Sequence, residues 1–229
     1  MRGLAVPALL VVLVGCAPAP QEAPPPPPTT VATTPPAPDG ASVVLDNDYV
    51  KALLFELQPG QAQATHDGPD RLVYSLNDYT LEWAEGEAEP VEKPWKAGDA
   101  HWHSAGPHAA KNLGEDVARY LVVTRTQMAL PATEEQPETA EVGRVVLENE
   151  SVRVIEVNLE PGEATPKHWA GPRMIYSLSD YTLRWTEGDA EPVEKSWKGG
   201  EAHWHGAGEH VAENAGAGPA RYLVICFRS

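Results

Sequence analysis

The sequence has only 2 cysteines, and only 17 Lys and Arg against 33 Asp and Glu, so its 229 residues carry a formal net charge of -16. A surface that acidic repels phosphate backbones and anionic headgroups, which excludes nucleic acid as a partner. Long apolar runs are also missing. The one that occurs, "LAVPALLVVLV" over 4–14, is too short to cross a bilayer as a stable helix and reads as the apolar stretch of a signal peptide. No amphipathic helix of useful length can be traced, which leaves an all-β chain. Nor is there a nucleophile and base pair, a phosphate loop or a nucleotide fingerprint, and most enzyme classes go with them.

The leader ends in "LVGC", Leu13–Cys16. This tetrapeptide resembles the lipobox of bacterial lipoproteins, which implies removal of residues 1–15 and lipidation of the Cys16 thiol. An ordinary secretory signal cleaved nearby is the alternative. The resemblance further implies that Ala17 after the cysteine directs the protein to the outer membrane, facing the periplasm. With Cys16 acylated, Cys226 is the one thiol left, inside "YLVICF", so no internal disulfide is expected and the side chain reads as buried and inert. Residues 16–40 are rich in proline and poor in large apolar side chains. They are expected to form a disordered tether reaching on the order of 70 Å at about 3.1 Å per residue.

Beyond the tether the chain is one unit written twice. Laying His66 on His168 aligns 43–127 with 145–229 without a gap and with about half of the positions identical, as in "YSLNDYTLEW" and "YSLSDYTLRW". The expected domains are therefore 41–128 and 144–229, joined by an acidic linker over 129–143. Two fused copies are expected to act as a pseudo-dimer within one chain.

Inside each repeat the apolar period is two. Leu53, Phe55 and Leu57 match Ile155, Val157 and Leu159 on one strand face, and Tyr79, Leu81 and Trp83 alternate with Thr80 and Glu82. Turn signals separate the runs at Pro59 and Gly60, Asn77 and Asp78, Glu85 and Gly86, and Ala97 and Gly98. Short, evenly spaced strands in a unit of this size predict an antiparallel sandwich or small barrel.

"PGQAQATH" followed by "GDAHWHSAGPHAAKN", and "PGEATPKH" followed by "GEAHWHGAGEHVAEN", resemble the two motifs of the cupin superfamily. Gly60 precedes His66 and Gly162 precedes His168 as in the first motif. Gly98, Gly106, His108 and Asn112, and likewise Gly200, Gly208, His210 and Asn214, fit the second. The resemblance implies two tandem jelly-roll barrels. It also implies a metal site, but the second histidine of the first motif is replaced by Gly68 and Ala170, and the acid that follows has no counterpart shared by both repeats.

All 8 histidines lie at equivalent places: His66, His101, His103 and His108, then His168, His203, His205 and His210. Residues two apart on a strand project from the same face, so His101 with His103, and His203 with His205, could supply the missing ligands. Imidazole-rich sites suit Zn, Fe, Ni, Mn or Cu as a divalent transition-metal cofactor. The facing stays open, because if Ala100 and Trp102 point inward then His101 and His103 point to solvent. Asp99 and Glu201 are read as ordinary turn residues. Trp169, unmatched and beside His168, is read as a pocket wall, with Trp102 and Trp204 as further pocket candidates.

Three readings of function remain. One is a membrane-tethered periplasmic module that binds a divalent metal, a small-molecule ligand or both. Another is a metal-dependent enzyme on small molecules, of oxygenase, isomerase or hydrolase type. The last is a structural lipoprotein whose pockets have lost their chemistry.

Overall fold

Stretches such as "RLVYS" at 71–75 and "RYLVV" at 119–123 are apolar at successive positions, and a strand of that kind needs cover on both faces. A computed structural model of the chain describes residues 40–131 and 143–228, and it shows what supplies the cover. The leader, Cys16, the Pro-rich segment and positions 132–142 of the expected linker lie outside the described residues.

The first repeat is built from β1 (Ala41–Asp46), β2 (Val50–Leu57), β3 (Ala62–Gly68), β4 (Arg71–Ser75), β5 (Tyr79–Glu85), β6 (Val91–Trp95), β7 (Ala100–His103), β8 (Gly106–Asn112) and β9 (Ala118–Arg125). The second repeats the series as β10 (Arg144–Glu148), β11 (Val152–Leu159), β12 (His168–Ala170), β13 (Arg173–Ser177), β14 (Tyr181–Glu187), β15 (Val193–Trp197), β16 (Ala202–His205), β17 (Gly208–Asn214) and β18 (Ala220–Phe227). Each repeat folds into a five-stranded sheet, β1-β2-β9-β4-β7 or β10-β11-β18-β13-β16, facing a four-stranded one, β3-β8-β5-β6 or β12-β17-β14-β15. All named pairings are antiparallel, and non-sequential neighbours such as β2 and β9 give each repeat its jelly-roll path. The two tandem barrels expected from the sequence are present. Gly60 and Gly98 have φ of 77° and 88°, a left-handed conformation that glycine adopts without the steric cost of a Cβ.

Three apolar cores result. Phe55, Val73, Tyr79, Leu81 and Tyr120 fill the first barrel, and Ile155, Ile175, Tyr181, Leu183 and Tyr222 fill the second. The third core lies between the barrels: Val50, Ala52, Leu72, Tyr74, Leu121 and Val123 of one repeat pack with Val152, Val154, Met174, Tyr176, Leu223 and Ile225 of the other. The outer face of each five-stranded sheet is therefore buried against the other barrel, which explains why all five residues of β4 and of β13 are buried. Both barrels belong to one compact unit. Cys226 packs half-buried against the second-barrel core.

Candidate functional site

Register decides which way the paired histidines point. On β4 and β7, Val73 lies opposite His101 and Arg71 opposite His103, while Leu72 lies opposite Trp102 and Tyr74 opposite Ala100. Directly opposed residues share a sheet face. Val73 belongs to the first-barrel core and Leu72 and Tyr74 to the core between barrels. His101 and His103 therefore enter the barrel. The second repeat has the same arrangement, with Ile175 opposite His203 and Arg173 opposite His205.

From the facing sheet, His66 lies opposite His108 and His168 opposite His210. All four histidines of each repeat thus line one cavity, of about 170 Å³ in the first barrel and about 30 Å³ in the second. The rings of His66 and His108 are 4.2 Å apart, and those of His101 and His103 4.8 Å. Trp83 lies beside both pairs, 4.7 Å from His103 and 5.3 Å from His108, while Trp95 stacks on His101 at 5.5 Å. In the second barrel Trp185 bridges His205 and His210 at 4.8 and 4.3 Å, and Trp197 stacks on His203.

Each cavity also contains an arginine. Arg71 and Arg173 open β4 and β13, point inward, and are 4% and 2% exposed. Arg173 donates from Nη1 to Gly171 O and Gly206 O at 3.0 and 3.2 Å, and its Nη2 lies 3.1 Å from His210 Nε2. Arg71 donates from Nη1 to Pro69 O and Ser104 O at 3.0 and 3.5 Å, whereas its buried Nη2 has no partner. Both guanidinium groups face an indole, Arg71 at 6.0 Å from the Trp83 ring and Arg173 at 5.9 Å from Trp185. Gly68 makes room for Arg71, since a Cβ there would meet His108 Cε1 at 2.6 Å and Arg71 Nη1 at 2.9 Å.

Burial strips six of the imidazoles of their positive form. Desolvation, with the nearby His103 and Arg71 adding to it, lowers the His101 pKa to about 3. Desolvation and Arg71 lower those of His103 and His108 to about 4, although Glu85, 3.8 Å from His103 Nδ1, opposes the shift at His103. For the same first cause, aided by Arg173, His205 and His210 fall to about 3 and His203 to about 4. At neutral pH these histidines are neutral, and the guanidinium is the charge inside.

A metal ion held by the histidines, as the sequence leads one to expect, does not fit this arrangement. Among the described residues no three His, Cys, Asp or Glu side chains are disposed to hold one ion. The four imidazoles lie as two pairs, one on each sheet of the barrel. Each cavity already contains a guanidinium, and like charges about 4 Å apart repel by about 4 kcal/mol per unit of charge at a protein-like dielectric. The acid of the first cupin motif has no counterpart shared by both repeats; Asp70 is exposed, and the buried charge that follows His66 is Arg71.

Other expected site residues are relocated as well. Trp102 and Trp204 pack against the core between barrels rather than lining a pocket, and Trp204 stacks on Tyr49 at 5.1 Å. Their strand parity is opposite to that of the histidines beside them. Trp169 sits between the inward-facing His168 and Ala170 on β12, opposite Glu209, and does not line the cavity. The indoles that do line the cavities are Trp83 and Trp95, then Trp185 and Trp197, positions that read as core. Asp99 and Glu201 accept backbone N–H bonds from Lys96 and Lys198 and are turn residues, as expected. Arg71, Arg173 and Gln63 were not singled out from the sequence. The available signal was an arginine heading an apolar strand in both repeats, "RLVYS" and "RMIYS".

No family model matches the chain, and no curated protein does. Solved structures do. An oxalate decarboxylase from Lactobacillus farciminis in a formate complex superposes with a TM-score of 0.61 at 13% identity, over 82% of this chain and 84% of that one. AerE from Microcystis aeruginosa gives 0.60 at 15% identity, over 82% and 97%. A cupin 2 conserved barrel domain protein from Leptotrichia buccalis gives 0.51 at 17% identity, over 82% and 88%. At such identities the likeness shows the fold alone, two tandem barrels of the cupin type.

Proposed function

We propose that this protein is a membrane-tethered, periplasm-facing two-barrel cupin that binds a small organic molecule in its first barrel, with the second barrel as scaffold. The observation that carries the reading is the contrast between the cavities: about 170 Å³ in the first barrel and about 30 Å³ in the second. A cavity of roughly 150 Å³ accepts a benzene-sized molecule, while the smaller volume suits one or two waters. Binding is favoured over acid-base catalysis because imidazoles with pKa values near 3 to 4 are poor bases at neutral pH. Support for the tether is the "LVGC" lipobox ending at Cys16 and the Pro-rich stretch behind it.

Two measurements test this. Small neutral and charged organic compounds are screened by tryptophan fluorescence, where binding in the first barrel changes Trp83 and Trp95 emission. Retention of stoichiometric transition metal after purification without chelator, with no response to any organic compound, would overturn the ligand reading. For the tether, Cys16→Ser should move the protein from the membrane to the soluble fraction, and an unchanged distribution refutes it.

A further inference from the structure

The first-barrel cavity contains two buried N–H donors with nothing to bond. Arg71 Nη2 is one, on a side chain 4% exposed. Gln63 Nε2 is the other; the Oε1 of the same amide accepts from the Tyr120 hydroxyl at 3.2 Å. Both residues line the same cavity. Buried donors are almost always paired, so two orphans facing one void mark a place where an acceptor belongs. The second barrel lacks this feature in the equivalent positions. There Arg173 Nη2 meets His210, and the residue matching Gln63 is Thr165, whose hydroxyl accepts from Ala212 N at 3.0 Å.

We infer that the first barrel binds a small planar monocarboxylate, its carboxylate taking the free donors of Arg71 and Gln63 and its apolar body lying among Trp83, Trp95 and Phe55. This rests on the ligand reading of that cavity and names the class. The sign follows from the fixed charges. One guanidinium lies inside, His101, His103 and His108 are uncharged at neutral pH, and the acids nearby, Asp67, Asp70 and Glu85, are exposed. One cation matches one carboxylate, and a charge-assisted bond to a guanidinium is among the stronger hydrogen bonds available. The body is limited to about the size of a benzene ring, since the cavity is about 170 Å³ and the walls away from Arg71 are aromatic and aliphatic. A flat ring can also lie against the indole faces.

The test uses the full chain and two probes of nearly equal shape, benzoate and benzamide, followed by calorimetry and tryptophan fluorescence at neutral pH. Benzoate should bind one per chain, and benzamide about tenfold more weakly or worse. Arg71→Met should lose benzoate binding by at least about tenfold while leaving benzamide little changed. Gln63→Glu, close in shape to the native side chain, should weaken benzoate selectively by repulsion. If benzamide binds as well as benzoate, or if neither variant affects benzoate, the carboxylate assignment falls and the ligand cavity stands. If neither probe binds the wild-type chain or alters its tryptophan emission, the carboxylate assignment falls, and the ligand reading falls with it only if the wider compound screen is silent as well.

Discussion

Nη2 of Arg173 lies 3.1 Å from Nε2 of His210, whereas Nη2 of Arg71, its counterpart in the first barrel, has no partner. One guanidinium is integrated into its barrel and the other is held ready. Arg173→Met should therefore be the more damaging change. It leaves Gly171 O, Gly206 O and His210 without their buried donor, at a cost of about 2 to 4 kcal/mol. Arg71→Met removes a partly unsatisfied buried charge together with two carbonyl contacts, and should cost less than half as much. Urea unfolding of the two variants measures the difference, and equal losses would contradict the asymmetry.

Acid should unfold the barrels earlier than carboxylate titration alone would. His101, His103, His108, His203, His205 and His210 have folded pKa values of about 3 to 4, below the ordinary value of 6.5. Below that ordinary value the unfolded chain takes up protons that the folded chain refuses, so stability falls with pH. This contribution is fully present above pH 6.5 and is lost progressively down to about pH 3 to 4. Thermal midpoints measured from pH 7.5 to 4.5 should decline, and His205→Gln should flatten the decline.

The asparagines of the second cupin motif hold turns rather than ligands. Asn112 Nδ2 donates to Leu57 O and Asp116 O, both at 2.8 Å, and Oδ1 accepts from Gly114 N; Asn214 repeats the set with Leu159, Gly218 and Gly216. Asn112→Ala should destabilise by about 2 to 4 kcal/mol, because buried carbonyls lose their donor. Its effect on ligand affinity, measured at a temperature where the variant is folded, should be small.

Tryptophans of opposite strand parity should separate in effect. Trp204→Ala removes a half-buried indole and its stacking on Tyr49, at a cost of about 2 to 3 kcal/mol, with benzoate affinity unchanged. Trp83→Ala removes an indole wall of the first cavity and should diminish the fluorescence response along with most of the affinity. The same loss of binding in both would show that the cavity and the inter-barrel core are one unit.

The architecture was legible because its signals are local. Period-two apolar runs, glycine turns and the exact doubling of the chain require no knowledge of pairing. The facing of His101 and His103 does require it. Both neighbours, Ala100 and Trp102, are as acceptable in a core as any interior residue, and both are in fact covered, by the other barrel. Alternation identifies an inward face only when the outward face is polar, and in β4, β7 and β9 it is not. The same doubled cover hid the arginines. At the head of "RLVYS" an arginine reads as a solvated strand end, and its burial follows from β4 being an interior strand, flanked by β9 and β7. Trp169 misled for the converse reason, since adjacency to His168 in sequence means the opposite side of the strand. The metal expectation came from the cupin-like motifs and the spacing of the histidines, and the guanidinium beside them becomes visible only in the barrel interior.

The apolar face that Leu72, Tyr74, Leu121 and Val123 present, met by Met174, Tyr176, Leu223 and Ile225, has a consequence for how the copies can change. A solitary repeat would expose that greasy wall and clump or seek a twin. Once joined, each half shields its sister whatever happens inside it, so one interior can silt up while the other stays hollow.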